Sequence, residues 1–308
     1  MINRTLIRIK VLQILYAYYQ TDSRDMKTAE NELLFSLRKS YDLYYYFLLL
    51  IIALTNLLDR TLDNRKHKYV PTSEELHPNM RLVNNRFAQQ LSRNDDLRHY
   101  VNEYKISWDN DQDFLKTTLN TLLASDLYAE YAVNTDDSYE TDREFWRAAF
   151  KTFVLGNEAV SEYLEDKSIF WNDDVEIVGT FTLKTIKHFR EHEGSRQSLL
   201  PMFNDEEARM FSVRLLRETL LHGPEIRERI SRRVQNWETE RVANIDLIIM
   251  QIAIAEMMSF PSIPVSVTLN EYIDMAKYYS TPKSGIFING ILDAIVDELK
   301  KEGILFKD

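Results

Sequence analysis

Six histidines and 48 carboxylates are the side chains of this 308-residue chain that could cut or transfer, and their spacing limits the chemistry. His188-Phe-Arg-Glu191-His192 has the H-x-x-E-H spacing of one class of zinc peptidase. On a helix its two histidines would share a face, as zinc ligation needs. A catalytic zinc also needs a third ligand and a cleft. Glu193 and Gly194 follow at once, so the segment reads as a polar helix end. Asp109-x-Asp111-x-Asp113 starts like a calcium loop, but Phe114 stands where that loop needs Gly and Asn120 where it needs Glu. It reads as a solvated loop. The neighbours Asp136/Asp137 and Asp173/Asp174 have no companion feature and read as surface charge. Cysteine is absent, which removes disulfides, thiolate zinc sites and cysteine nucleophiles together. No GxGxxG or GxxxxGK[ST] loop occurs. The expectation is no catalytic residue, no metal, no cofactor and no enzyme.

The cations near the two ends are a different case. Arg4, Arg8 and Lys10 lie in the first apolar-periodic segment, and Arg4 and Arg8 are one helical turn apart. Lys277, Lys283 and Ser284 surround a short loop, with Tyr278, Tyr279 and Phe287 just beside it. Cations that hold phosphates, beside rings that stack bases, suit single-stranded RNA. Ser284 opens the last helix, where backbone N–H groups could also meet a phosphate. Each residue alone has an ordinary structural reading: helical aromatics are mostly core, and three cations are not a patch.

The elements that must position these residues are helical. Residues 2–20 place Leu6, Ile9, Leu12, Leu15 and Tyr18 at spacings of 3 and 4. Residues 29–39 and 41–64 read as two further helices, followed by a connection through Pro71 and Pro78. The apolar run 43–58 is too short to span a bilayer and reads as a buried core helix. Residues 80–155 fit three or more helices broken near 109–113 and 134–142. VEIVGTFTL at 175–183 is β-branched but is read as helix. The last third is well punctuated, with helices at 205–222, 224–236, 241–259, 266–279 and 284–300 separated at His222-Gly223-Pro224, Pro261, Pro264 and Pro282. Only seven glycines and seven prolines argue against a turn-rich all-β fold. The N-terminus lacks a secretory pattern, and with no cysteine the chain reads as cytoplasmic.

An internal similarity appears at an offset of 66 residues. Phe145, Phe150, Val160, Leu164, Trp171 and Ile186 fall on Phe211, Leu216, Ile226, Ile230, Trp237 and Ile252. Duplication of a helical segment and a shared helical period both account for it. The net charge of −10 argues at first against a nucleic-acid partner. Residues 101–180 alone carry −12, so the remainder is slightly basic and holds every candidate cation.

The stretch 236–295 resembles the NusB family of transcription antitermination factors. The resemblance rests on IPVSVTLNEYIDMAK at 263–277 and on SGIFINGILD at 284–293, which fits the family's F-[VI]-N-G-[VIL]-L-D signature. RTLIRIKVLQILYAYYQ also resembles the family's first helix. The resemblance covers residues 2–40 and 205–300. It implies an all-α fold of two packed helical bundles, with residues 1–40 and 205–308 forming the module and 41–204 an acidic helical insertion. It further implies binding of single-stranded boxA RNA from ribosomal RNA leaders, with a small-subunit ribosomal protein acting as NusE and in an RNA polymerase antitermination complex. By position, Arg4 and Arg8 fall in the Arg-rich start, Lys283, Ser284 and Phe287 in the RNA-contacting loop, and Asp246 at an acidic position toward the ribosomal protein. Thr5 and Leu6 replace further arginines, and Lys283 stands where some members carry an acid. Asn289 is expected to bond local backbone and Gly290 to allow close packing. The same module is fused elsewhere to RNA cytosine methyltransferases; without cysteine or a Gly-rich loop, that activity is closed here. The competing reading is a protein–protein adaptor of the transcription or ribosome-assembly machinery that has lost RNA binding and docks basic partners on its acidic insertion.

Overall fold

A computed structural model describes residues 1–21, 25–234 and 243–305. The described residues contain helices and no strand. In chain order the α-helices are α1 (Arg4–Gln20), α2 (Met26–Lys66), α3 (Ser73–Leu76), α4 (Arg86–Ser92), α5 (Asp95–Tyr104), α6 (Gln112–Leu123), α7 (Asp126–Val133), α8 (Tyr139–Phe150) and α9 (Glu158–Lys167). They continue with α10 (Val175–His188), α11 (Glu206–Leu221), α12 (Gly223–Val234), α13 (Asn244–Ser259), α14 (Val265–Tyr279) and α15 (Ser284–Lys301). The chain forms two compact units. One comprises Met1 with Arg38–Met202, the other Ile2–Leu37 with Phe203–Asp308.

The first unit is built on the C-terminal part of α2. Leu43, Tyr44, Phe47, Leu48, Leu50, Ile51 and Leu54 recur at helical spacing and are all buried. Phe47 meets Phe150 edge to face, and the Tyr44 hydroxyl bonds Thr185 Oγ1 at 2.7 Å. Among the described residues α2 is the one helix long and apolar enough to cross a membrane, and 72% of its most apolar window is buried inside the protein. Two sequence expectations change here. The two helices at 29–39 and 41–64 are one helix. Ser40 does not break it, because its hydroxyl is buried and donates to Asp174 Oδ2 at 2.5 Å. Asp174 is therefore core, not surface charge. Asp111 is likewise not solvated. It is buried, accepts two hydrogen bonds from Lys167 Nζ at 2.8 and 2.9 Å, and accepts another from the Tyr163 hydroxyl. Burial, then the Asp111 carboxylate, pushes the Tyr163 hydroxyl up to about 12.

The second unit is organised around α13, which is buried on nearly every side and so sits at its centre. α1, α11, α12, α14 and α15 pack on it. α1 starts where Asn3 accepts a hydrogen bond from the Leu6 N–H, and α11 where Asp205 accepts one from the Ala208 N–H. The first turns of α2 join this unit through Glu30, which Arg217 grips with Nε and Nη2.

The 66-residue offset lays α8 and the π-turn after it on α11, α9 on α12, and α10 on α13, with boundaries agreeing to within a few residues. Thr185 and Gln251 coincide at this offset. Each bonds a tyrosine hydroxyl from an earlier helix, Tyr44 in one unit and Tyr19 in the other. Trp237 lies outside the described residues.

Candidate nucleic-acid interface

α14 and α15 meet at a tight junction over residues 280–283, and this junction gathers the C-terminal candidates. Lys277 stands in the last turn of α14, its ammonium 2.8 Å from Asp274 Oδ1. Its aliphatic stem lies over Gly285, where an added Cβ would come within 3.3 Å of Lys277 Cγ. Lys283 is exposed just before α15, and Phe287 is half-buried one turn in. Tyr278 is 70% exposed and Ile286 83% exposed, so two apolar faces stand open beside two cations. Ile286 lies off the i, i+3, i+4 stripe of Ile288, Ile291, Leu292, Ile295, Val296 and Leu299, and that period is the signal in the sequence that turns it outward.

Ser284 is buried and occupied. Its hydroxyl donates to Asp246 Oδ2 at 2.9 Å and pairs with the hydroxyls of Ser280 and Thr281 at 3.0 and 2.8 Å. Its N–H donates to the Thr281 carbonyl. Asp246, expected toward a protein partner, is only 3% exposed. It lies in the first turn of α13, where the helix dipole favours a carboxylate. Beside that turn, Tyr19, Arg227, Asn244, Leu247 and Gln251 line a groove of about 520 Å³. The Arg227 guanidinium stacks 3.9 Å from the Tyr19 ring centre.

The N-terminal cations divide. Arg4 is partly exposed, 3.0 Å from Glu207 Oε1 and 5.3 Å from the Phe211 ring centre. Arg8 and Lys10 are buried, which corrects the expectation that they face a phosphate. Arg8 makes a bidentate pair with Glu256, Nε to Oε2 at 2.8 Å and Nη2 to Oε1 at 2.9 Å, and its Nη1 lies 3.1 Å from Glu271. Thr268 and Tyr272 donate hydroxyl bonds to the same Glu256. Burial pulls the Arg8 guanidinium down, but the Glu256 bond and charge, with Tyr272 and Glu271, outweigh it and the net shift is upward. Burial and Glu256 push the Tyr272 hydroxyl well up. A lone acid inside LIIMQIAIAEMM must be paired, and that is the signal in the sequence for this network.

The two cation groups are anchored at different ends of α13. Phe211, under Arg4, packs on Phe260 at the end of α13, whereas Ser284 sits at its start. The anchors Asp246 and Phe260 lie about 21 Å apart along α13, while on α14 Glu271, which accepts a hydrogen bond from Thr5 beside Arg4, precedes Lys277 by six residues. The histidine motif forms no ligand face, because α10 ends at His188 and the backbone leaves the helix at Phe189. No metal-ligating cluster occurs among the described residues. Asn289 bonds the Asp293 carboxylate rather than backbone, and an added Cβ on Gly290 would meet nothing within 4 Å.

Fold and site together define an all-helical protein with exposed cations, a ring and an apolar side chain gathered at one helix junction. The NusB family model matches residues 179–297, a span that contains this junction. The chain is 37% identical over 131 residues to the transcription antitermination protein NusB of Salinibacter ruber, covering 41% of this chain and 82% of that one. It is 35% identical to the Geotalea daltonii protein of the same name, covering 43% and 89%, and 42% identical to that of Chloroherpeton thalassium, covering 33% and 49%. The chain belongs to the NusB family, whose members are non-enzymatic transcription antitermination factors. No solved structure matches it significantly.

Proposed function

We propose that this protein is a cytoplasmic RNA-binding transcription antitermination factor. It takes a single-stranded boxA element of ribosomal RNA leaders together with a ribosomal protein acting as NusE, within an RNA polymerase complex. The observation that carries this reading is the α14–α15 junction, where Lys277 and Lys283 flank exposed Tyr278 and Ile286 and half-buried Phe287. Cations bind the backbone and the ring faces stack bases. Arg4 adds a second phosphate contact, reached by an extended strand. Ser284 acts from beneath the surface by holding the junction, while Arg8 and Lys10 support the fold. With Asp246 buried, Asn244 and Leu247 of the same turn, facing the groove, meet the ribosomal protein. Residues 41–204 are an insertion into the NusB-like module.

Fluorescence anisotropy with a labelled boxA-like RNA, with and without the ribosomal protein, tests the reading. Salt-dependent binding supports it, and no binding in either case refutes it. The adaptor reading draws on the charge of −12 over residues 101–180. It requires binding of a basic protein without any RNA affinity.

A further inference from the structure

Asp246 is a carboxylate that the surface does not reach. It is 3% exposed, its Oδ2 takes one hydrogen bond from Ser284, and its Oδ1 is buried without a hydrogen-bond partner. A buried carboxylate with one donor and one oxygen unpartnered is costly, so its place calls for a role. The Ser284 hydroxyl is the hub of the junction. Besides Asp246 it meets the Thr281 N–H at 3.3 Å and the hydroxyls of Thr281 and Ser280. These three residues enclose Pro282 and Lys283, and Ser284 opens the helix that carries Ile286 and Phe287. Asp246 belongs to a different helix, the central one of the unit. One carboxylate therefore ties the junction to the rigid core.

We infer that Asp246 is a positioning residue: through the Ser284 hydroxyl it fixes the 280–284 junction so that Lys283, Ile286 and Phe287 are presented in one arrangement. This rests on the RNA reading proposed above, but the restraint can be observed without RNA. Holding the junction in advance removes an ordering cost from binding, so loosening it weakens affinity without deleting any contact. Only a hydroxyl at 284 and an acceptor at 246 are required. Threonine at 284 keeps the link, alanine at either position breaks it, and breaking it twice adds nothing.

The chain has no cysteine, so Ile286→Cys accepts a spin label at a single site. In this labelled protein, Asp246→Ala and Ser284→Ala are expected to raise label mobility, and Ser284→Thr to restore the parent spectrum. In the unlabelled protein, each alanine variant should weaken boxA RNA binding about tenfold, and the double variant no more than either single. Circular dichroism and thermal unfolding identify any variant that has lost the fold, and Ser284→Thr against Ser284→Ala keeps the comparison within folded protein. Unchanged mobility on losing either side chain would overturn the inference, as would losses that multiply in the double variant. Mobility that rises in a protein whose wild type binds no RNA would refute the RNA role and leave the junction restraint standing.

Discussion

Arg4 and Arg8 are one helical turn apart on α1, yet one reaches solvent and the other is sealed against Glu256. The difference lies in what the opposite helix presents. Glu256 is fully buried, and with Thr268 and Tyr272 it forms a socket shaped for a bidentate guanidinium. Removing one partner leaves the other charged and unpaired inside the protein. Glu256→Ala is therefore expected to destabilise by about 3–5 kcal/mol in urea denaturation. Arg4→Ala should stay within about 0.5 kcal/mol, since its pair with Glu207 is largely exposed. The first helix showed its cations in the sequence but not their partners. Glu256 lies 248 residues away, and spacing within α1 cannot reveal it. The C-terminal cations were legible because their loop is local: Lys277 and Lys283 are brought together by one helix end and the next helix start.

Helices were readable wherever apolar spacing met a clear break, as at His222-Gly223-Pro224 between α11 and α12 and at Pro282 before α15. The continuity of α2 was not, because Ser40 and Asp42 look like punctuation until their distant partners are known. Asp42 takes hydrogen bonds from Lys39 and from Tyr100, both within the first unit. Ser40→Pro should cost about 3 kcal/mol or more, with reduced helical circular dichroism, since the ring blocks an interior helix bond. At the other end of the chain, α12 and α15 are clamped by Arg229 and Arg233 on Glu298 and Glu302. The Arg233 hydrogen bond, reinforced by the charges of both arginines, holds the Glu298 carboxyl below the usual range, and Arg217 does the same to Glu30. A lowered folded pKa means the unfolded chain binds protons first. The stabilisation is complete above the ordinary glutamate value of about 4.3 and is lost as pH falls through the lower folded values. Urea midpoints followed from pH 7 downward should therefore fall below about pH 4.3, and Glu298→Gln should flatten that fall while lowering the midpoint at neutral pH.

The whole molecule carries its charge unevenly, and the net value of −10 describes the first unit better than the second. Residues 101–180 lie wholly in that first unit, whereas every proposed RNA contact lies in the second. Replacing the exposed acids Asp113, Asp126, Glu130, Asp137, Glu140 and Glu162 by their amides should thus leave boxA affinity at fixed salt nearly unchanged. A large loss would place the RNA contact on residues 101–180 and contradict the junction as the site. Charge partition was legible in sequence because it needs only counting. The separation of the Arg4 and Lys283 patches was not, because it depends on which end of α13 each neighbouring helix meets. The central claim is that the α14–α15 junction holds RNA through its cations. The most direct measurement is boxA RNA affinity as a function of salt for the wild type and for Lys283→Ala. The logarithm of the wild-type binding constant should fall linearly with that of salt concentration, and Lys283→Ala should bind more weakly with a slope shallower by about 0.7. Binding by the wild type that ignores salt, or a Lys283→Ala protein identical to it in slope and affinity, would contradict the claim.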